Sequence, residues 1–301
     1  FQTSGNARYV DIVENCLYNS ILSGISLDGK RYFYTNPLRI SADLPYTLRW
    51  PKQRTEYISC FCCPPNTLRT LCEAQNYVYT LSDEGVWCNL YGGSELDTEW
   101  MGNHIQLLQE TDYPWDGAVS ITLKEVPEKK PLSLFLRVPE WCTKATLAVN
   151  DVPVTTDLKA GTYAEIKRIW KKGDRVAFVM GMEPVLLESH PLVEETRNQV
   201  AVKRGPVVYC LESMDVEAGK RIDDILIPAD IKFSPVKTEI AGSRVTVLDG
   251  IAHSVDSDSW EGKLYRKVAE NGDRIPIRLI PYYAWGNRGE SEMTVWMLLE
   301  R

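Results

Sequence analysis

Histidine is scarce in this chain, and so is positive charge. Only three histidines occur in 301 residues, His104, His190 and His253, and each stands alone. A zinc knuckle needs a second Cys or His pair at short spacing, and none is present; each histidine therefore reads as structural or exposed. Lys and Arg number 34 against 41 Asp and Glu, a net charge of -7. Binding a phosphate backbone needs clustered cations, so nucleic acid is excluded as a partner. No stretch approaches the ~20 apolar residues of a membrane span, and no membrane partner is expected. The chain opens Phe1-Gln2-Thr3, with no initiator Met and no basic-then-apolar leader. The expectation is the later part of a longer protein, with any targeting signal upstream. Internal repeats and low-complexity segments are also lacking.

What is there is ordinary globular material in quantity. Hydrophobic residues make up 44% and charged residues 25%, and the length suits two or three domains. Nine Trp and fifteen Tyr suit sugar binding, because sugar C–H faces pack on rings, but cores use the same residues. The eight cysteines are irregularly spaced. Length excludes a small disulfide scaffold. Cys16, Cys72, Cys88, Cys142 and Cys210 are isolated and read as small buried apolar residues. Three others crowd into Ser59-Cys60-Phe61-Cys62-Cys63-Pro64-Pro65-Asn66. Adjacent cysteines rarely pair with each other, so this run points to metal binding or catalysis.

Helical periodicity is confined to the first 82 residues. Over 7–24, Val10, Val13, Leu17, Ile21 and Leu22 recur at helical spacing and Gly24 is a stop. A second helix starts at Pro64-Pro65, where a missing N–H costs nothing. Its stripe is Leu68, Leu71, Cys72 and Ala74, and it fades near Leu81-Ser82. The long connection 26–59 carries Tyr32, Phe33, Tyr34, Asn36, Pro37 and Trp50, and a loop of that length is usually functional. Beyond Asp83 the pattern turns to period two, with strands expected over 132–138, 146–149, 164–169 and 175–180. After a break near His190-Pro191, strands follow over 200–203, 207–211, 244–247, 274–280 and 293–298. Short, evenly spaced strands suggest sandwiches or jelly rolls.

The cysteine run has a chemical logic. A helix N-terminus carries partial positive charge and free N–H groups, and both favour thiolate over thiol. Thiolates bind zinc and are strong nucleophiles. Cys62 and Cys63 cannot fill a tetrahedral shell alone, so further ligands must come from elsewhere.

Several segments, in order, resemble glycoside hydrolase family 127, the β-L-arabinofuranosidases. They are Ala7-Arg8-Tyr9-Val10-Asp11, Leu17-Tyr18-Asn19, Leu27-Asp28-Gly29-Lys30, Phe33-Tyr34-Thr35-Asn36-Pro37-Leu38 and Cys60-Phe61-Cys62-Cys63-Pro64-Pro65-Asn66. Two more lie near the end: Val202-Lys203-Arg204-Gly205-Pro206-Val207-Val208-Tyr209 and Pro281-Tyr282-Tyr283-Ala284-Trp285-Gly286-Asn287-Arg288-Gly289. The Cys-x-Cys-Cys-Pro element is the specific one.

The resemblance implies an α+β multi-domain protein. Residues 1–82 would end an (α/α)6 catalytic barrel, and two antiparallel, jelly-roll-like β-sandwich domains would follow over 83–188 and 189–301. It implies a bacterial retaining glycosidase with zinc as cofactor, Cys62 as nucleophile and metal ligand, and Cys63 as a further ligand. Cys60 is a neighbour with an accessory role left open, and Tyr34 and Asn36 are sugar contacts. The substrate would be a glycan or small glycoside of L-arabinofuranose or a related sugar, and the protein could be a homodimer. The family's acid/base glutamate and a Glu-x-Cys element are expected upstream of Phe1. Glu14-Asn15-Cys16 has that spelling but falls inside the first helix and carries little weight. The isolated chain is therefore expected to lack a full zinc site and activity. Reduced cysteines suit the cytoplasm, with the periplasm as the alternative. Two other readings compete: a non-catalytic carbohydrate-binding or scaffold protein, and a thiol redox protein cycling Cys62 and Cys63.

Overall fold

A computed structural model describes residues 1–42, 48–59, 61–255, 263–265, 267 and 272–300. The chain is rich in strands and has few helices. It divides into two compact units, each assembled from two stretches of sequence. One unit joins Phe1–Tyr18 to Arg69–Glu183, and the other joins Asn19–Leu68 to Pro184–Arg301.

The first unit holds two sheets. One has four strands in the order Thr162–Arg168, Leu132–Val138, Gly85–Cys88, Tyr79–Ser82. The other has six, in the order Ser94–Trp100, Asn103–Thr111, Ala118–Glu125, Arg175–Met180, Ala145–Val149, Val152–Pro153. Alternation decides which side chains go inside. In Asn103–Thr111, Ile105 and Leu107 are buried; in Ala118–Glu125, Val119, Ile121 and Leu123 are. These side chains join Leu132, Leu134, Leu136, Trp170 and Phe178 in one apolar cluster. Each fully buried Leu or Ile contributes roughly 1.5–3 kcal/mol.

The second unit is built on one large sheet whose pairings close on themselves. Starting at Val207–Glu212, the ring passes through Arg274–Pro281, Ser243–Ser254, Ile225–Pro228, Met297–Glu300 and Gln199–Arg204, then returns. Ser243–Ser254 closes the ring because its length lets it serve three partners, Ser234–Ile240, Arg274–Pro281 and Ile225–Pro228. Two facing sheets are expected over 189–301, so this closure is a difference. Val202, Val207, Tyr209, Leu211, Val247 and Leu279 are buried within this unit.

Pairing direction also differs from expectation. Gly85–Cys88 runs parallel to Leu132–Val138, and Ile225–Pro228 runs parallel to Met297–Glu300. Tight turns enforce antiparallel pairing only between neighbours in sequence, and these partners are distant. The expected strand 293–298 breaks into Met293–Thr294 and Met297–Glu300, which pair with different partners.

The first helical stretch covers nearly the range its periodicity suggests, 8–23, and the second is shorter than expected. The first, α1 (Arg8–Asn15), continues as a π-helical segment, Cys16–Ile21. The second, α2 (Cys63–Glu73), gives way to a 3-10 turn at Ala74–Tyr77. Helix does not continue to residue 82, because Tyr79–Ser82 pairs with Gly85–Cys88 across the Asp83-Glu84 turn. No residue of α2 is buried, and its apolar stripe is exposed at Leu68. Cys72 is accordingly exposed, and so is Cys16, whereas Cys88, Cys142 and Cys210 are buried as expected. Burial raises the Cys88 thiol pKa to about 12, which makes it inert.

Candidate active site

The cysteine run starts a helix, as its sequence suggests. Cys62 immediately precedes α2 and Cys63 is its first residue. Asn66 donates to the Cys62 carbonyl twice, from its backbone N–H at 3.1 Å and from Nδ2 at 2.7 Å. The Cys62 and Cys63 sulfurs lie 3.3 Å apart, with Cys62 exposed and Cys63 partly buried. One part of the electrostatic expectation needs correction. Pro64 and Pro65 occupy the first turn and have no N–H, so the helix start offers fewer donors than a generic one. What favours a thiolate there is the helix dipole together with exposure to solvent. Cys60 lies outside the described residues.

Close packing sets the position of α2. A Cβ added at Gly24 would sit 2.9 Å from Thr67 Oγ1 and 3.2 Å from the Ile21 carbonyl. Only glycine lets the end of the first helical segment approach α2 one turn beyond Cys63. The preceding residue, Ser23, donates from Oγ to Asn36 Oδ1 at 2.6 Å, and Asn36 Nδ2 donates to the Ser20 carbonyl at 2.9 Å. Asn36 is thus anchored to the segment that α2 packs on. Tyr34 stacks on Trp50, with ring centroids 3.7 Å apart. The structure therefore brings Asn36 to the Gly24–Thr67 neighbourhood and gives Tyr34 an aromatic partner.

Arg54 is a residue that the sequence did not flag. It is 5% exposed, and burial lowers its guanidinium pKa to about 10. Its Nε and one Nη donate to the Ser23 carbonyl at 3.0 and 2.9 Å. The same Nη reaches the Tyr283 carbonyl at 3.1 Å, and the other donates to the Trp285 carbonyl. The guanidinium lies 4.4 Å from the Phe33 ring centroid, and Phe33 stacks on Trp285 at 4.9 Å. One side chain therefore ties the 26–59 loop to the helix end and to the 281–289 segment. A lone Arg in a loop carries no pattern that could have revealed this.

Glu14 has a structural task. In the first unit, Arg137 is fully buried on Leu132–Val138 and meets both Asp11 and Glu14 of α1. Tyr113 Oη and Trp141 Nε1 donate to Glu14 at 2.6 and 3.0 Å. Both Glu14 carboxylate oxygens are occupied. The Glu14-Asn15-Cys16 spelling is therefore no ligand pair.

The donor chemistry at Cys62 and Cys63 suits a borderline-soft cation such as zinc, which takes thiolate ligands. The count does not complete a site. Catalytic zinc takes three protein ligands, and no group of three or more His, Cys, Asp or Glu that could hold a metal occurs among the described residues. His104 lies 2.8 Å from Asp97, and His253 lies 2.5 Å from Glu300.

Three family models match successive parts of the chain. "Beta-L-arabinofuranosidase, GH127 catalytic domain" matches residues 1–76, "Beta-L-arabinofuranosidase, GH127 middle domain" 85–182, and "Glycoside hydrolase family 127 C-terminal domain" 184–298. The non-reducing end beta-L-arabinofuranosidase of Bifidobacterium longum subsp. longum is 30% identical over 302 residues, covering 96% of this chain and 45% of that protein. A solved structure titled glycoside hydrolase superposes with a TM-score of 0.95 at 66% identity, covering 99% of this chain and 49% of that one. Ara127N-Se, a GH127 beta-L-arabinofuranosidase from Geobacillus stearothermophilus T6, superposes with a TM-score of 0.89 at 36% identity, covering 99% and 47%. The chain thus spans about half the length of these relatives.

Proposed function

Because the chain belongs to glycoside hydrolase family 127, we propose that the whole protein is a retaining glycosidase acting on L-arabinofuranosides or a closely related sugar. The observation that carries this reading is the Cys62–Cys63 pair at the start of α2, with sulfurs 3.3 Å apart. Cys62 is the proposed nucleophile. Its thiolate attacks the anomeric carbon while the bond from that carbon to the aglycone oxygen breaks. A carboxylic acid elsewhere in the protein protonates the departing oxygen. Water then attacks the same carbon, the carbon–sulfur bond breaks, and the carboxylate accepts the water proton. Two displacements retain configuration. Zinc is the proposed cofactor, with Cys63 and Cys62 among its ligands; bound cation would supply positive charge that holds sulfur deprotonated. Asn36 and Tyr34 are proposed sugar contacts.

The helical segments are read as the end of an (α/α)6 barrel, and the two sheets of the first unit as a β-sandwich. The compartment proposed is the cytoplasm, where thiols stay reduced. The 301 residues alone are expected to be inactive, since they supply two thiolates of a larger set. Hydrolysis of an aryl β-L-arabinofuranoside by the full-length protein tests the reading. Cys62→Ser should abolish turnover while zinc content is largely kept. Unchanged rates would overturn the nucleophile assignment.

A further inference from the structure

An ordinary helix start is closed by the side chain of the residue before it, which accepts from the backbone N–H two or three positions on. Cys62 holds that place before α2. The two positions that should donate are Pro64 and Pro65, and proline has no N–H. The Cys62 sulfur therefore cannot cap its own helix in this way. The turn is closed from the opposite direction. Asn66 aims two donors at one oxygen, the Cys62 carbonyl: its backbone N–H at 3.1 Å and its Nδ2 at 2.7 Å. A carbonyl only accepts, so the amide end that faces it is Nδ2, and two donors match its two lone pairs. That oxygen belongs to the peptide joining Cys62 to Cys63. The peptide is planar, so fixing its oxygen fixes the plane from which both side chains depart, and the two sulfurs lie 3.3 Å apart. Asn66 is itself held through its neighbour, because Thr67 packs so closely on Gly24 that an added Cβ there would lie 2.9 Å from Thr67 Oγ1. The Asn66 side chain is exposed, so its bond adds only modestly to stability; what it sets is direction.

We propose that Asn66 is a positioning residue for the Cys62 nucleophile: its side-chain amide, gripping the Cys62 carbonyl, orients the sulfur for attack on the anomeric carbon. This rests on the assignment of Cys62 as nucleophile. Displacement at carbon needs the attacking atom in line with the departing oxygen, and a misplacement of ~1 Å costs about 100-fold in rate. Asn66 acts on that alignment through the backbone. The residue type fits the task. Its amide donates to the carbonyl four residues back, as Ser and Thr hydroxyls do on helices, and it brings no charge to the two sulfurs. Aspartate at the same place would only accept, and it would set a negative charge beside groups that work as anions.

The test sets donor against shape in the full-length protein. Asn66→Leu keeps the volume and removes the donor; Asn66→Ser loses volume and returns a donor to the same carbonyl. On an aryl β-L-arabinofuranoside, kcat should fall about ten- to hundredfold in Asn66→Leu with KM within about twofold of the parent. Asn66→Ser should recover most of the loss. A role in packing alone predicts the reverse order, because leucine conserves the shape. A second readout does not depend on turnover. With cysteine labelled by carbon-13 at the carbonyl and nitrogen-15 at the amide, the Cys62–Cys63 peptide gives a resonance identified by its absence in Cys62→Ser. Its carbonyl shift should move upfield in Asn66→Leu and return in Asn66→Ser. Parental kcat in Asn66→Leu overturns the proposal, and so does an unmoved carbonyl shift. Cys62→Ser assayed alongside separates the two readings. Full activity there overturns the nucleophile assignment and the role of Asn66 together, whereas inactive Cys62→Ser beside fully active Asn66→Leu overturns the role of Asn66 alone.

Discussion

Replacing Arg54 with methionine examines how the 26–59 loop is held. The guanidinium makes four hydrogen bonds, all to neutral carbonyls, of Ser23, Tyr283 and Trp285. Methionine fills much of the space but donates nothing, so three carbonyls lose a donor, although Trp285 keeps Asn287 Nδ2 at 3.3 Å. At about 1–3 kcal/mol for each buried polar group left unpaired, the gross loss is several kcal/mol. Part of it is returned, because burial already disfavours the cation and lowers its pKa to about 10. A net destabilisation of about 3 kcal/mol is expected for Arg54→Met. Arg54→Lys should recover less than half, since one ammonium cannot reproduce the fork that spans two chain segments. Urea unfolding supplies the numbers. Hydrogen exchange should show the loss concentrated in 23–59 and 281–289. Stability of Arg54→Met within about 0.5 kcal/mol of the parent, with unchanged exchange, would refute this account of the loop.

Two other outcomes follow from the same packing. Gly24→Ala brings a methyl to 2.9 Å from Thr67 Oγ1, so α2 must shift and kcat of the full-length protein should fall at least tenfold; adding Thr67→Ala should restore most of it, and failure to do so would separate α2 position from activity. Asp174 is buried, which opposes its ionised form, but hydrogen bonds from Asn150 and the Lys171 N–H outweigh that and lower its carboxyl pKa below 3.8. A lowered carboxylate contributes stability above its unfolded value and loses it as pH falls through the folded one. Asp174→Asn should therefore cost about 1 kcal/mol near neutral pH, and the difference from the parent should shrink below about pH 4 in acid unfolding.

Much of this was readable before any fold was known. Leu132–Val138, Arg175–Met180 and Arg274–Pro281 follow from alternation, because side chains of a strand point to opposite faces whatever the strand pairs with. Ser94–Trp100 escaped because Glu95, Asp97 and Glu99 give it a polar texture, although its burial alternates. The cysteine run was legible because prolines mark a first helical turn locally. Arg54 and the role of Glu14 were not legible, since each acts through partners more than thirty residues away or in a separate stretch of chain.

The sequence by itself determined the strand texture, the helix start at Cys62 and Cys63, and the family the chain belongs to. These depend on neighbours within one or two turns, where backbone geometry converts residue order directly into position. The tertiary structure alone decided which strands run parallel, that the second unit's sheet closes on itself, that Glu14 serves Arg137, and that Arg54 joins Ser23 to Tyr283 and Trp285. Each of these depends on which distant segments meet, and burial assigns a cost or a partner to a polar group only after they have met.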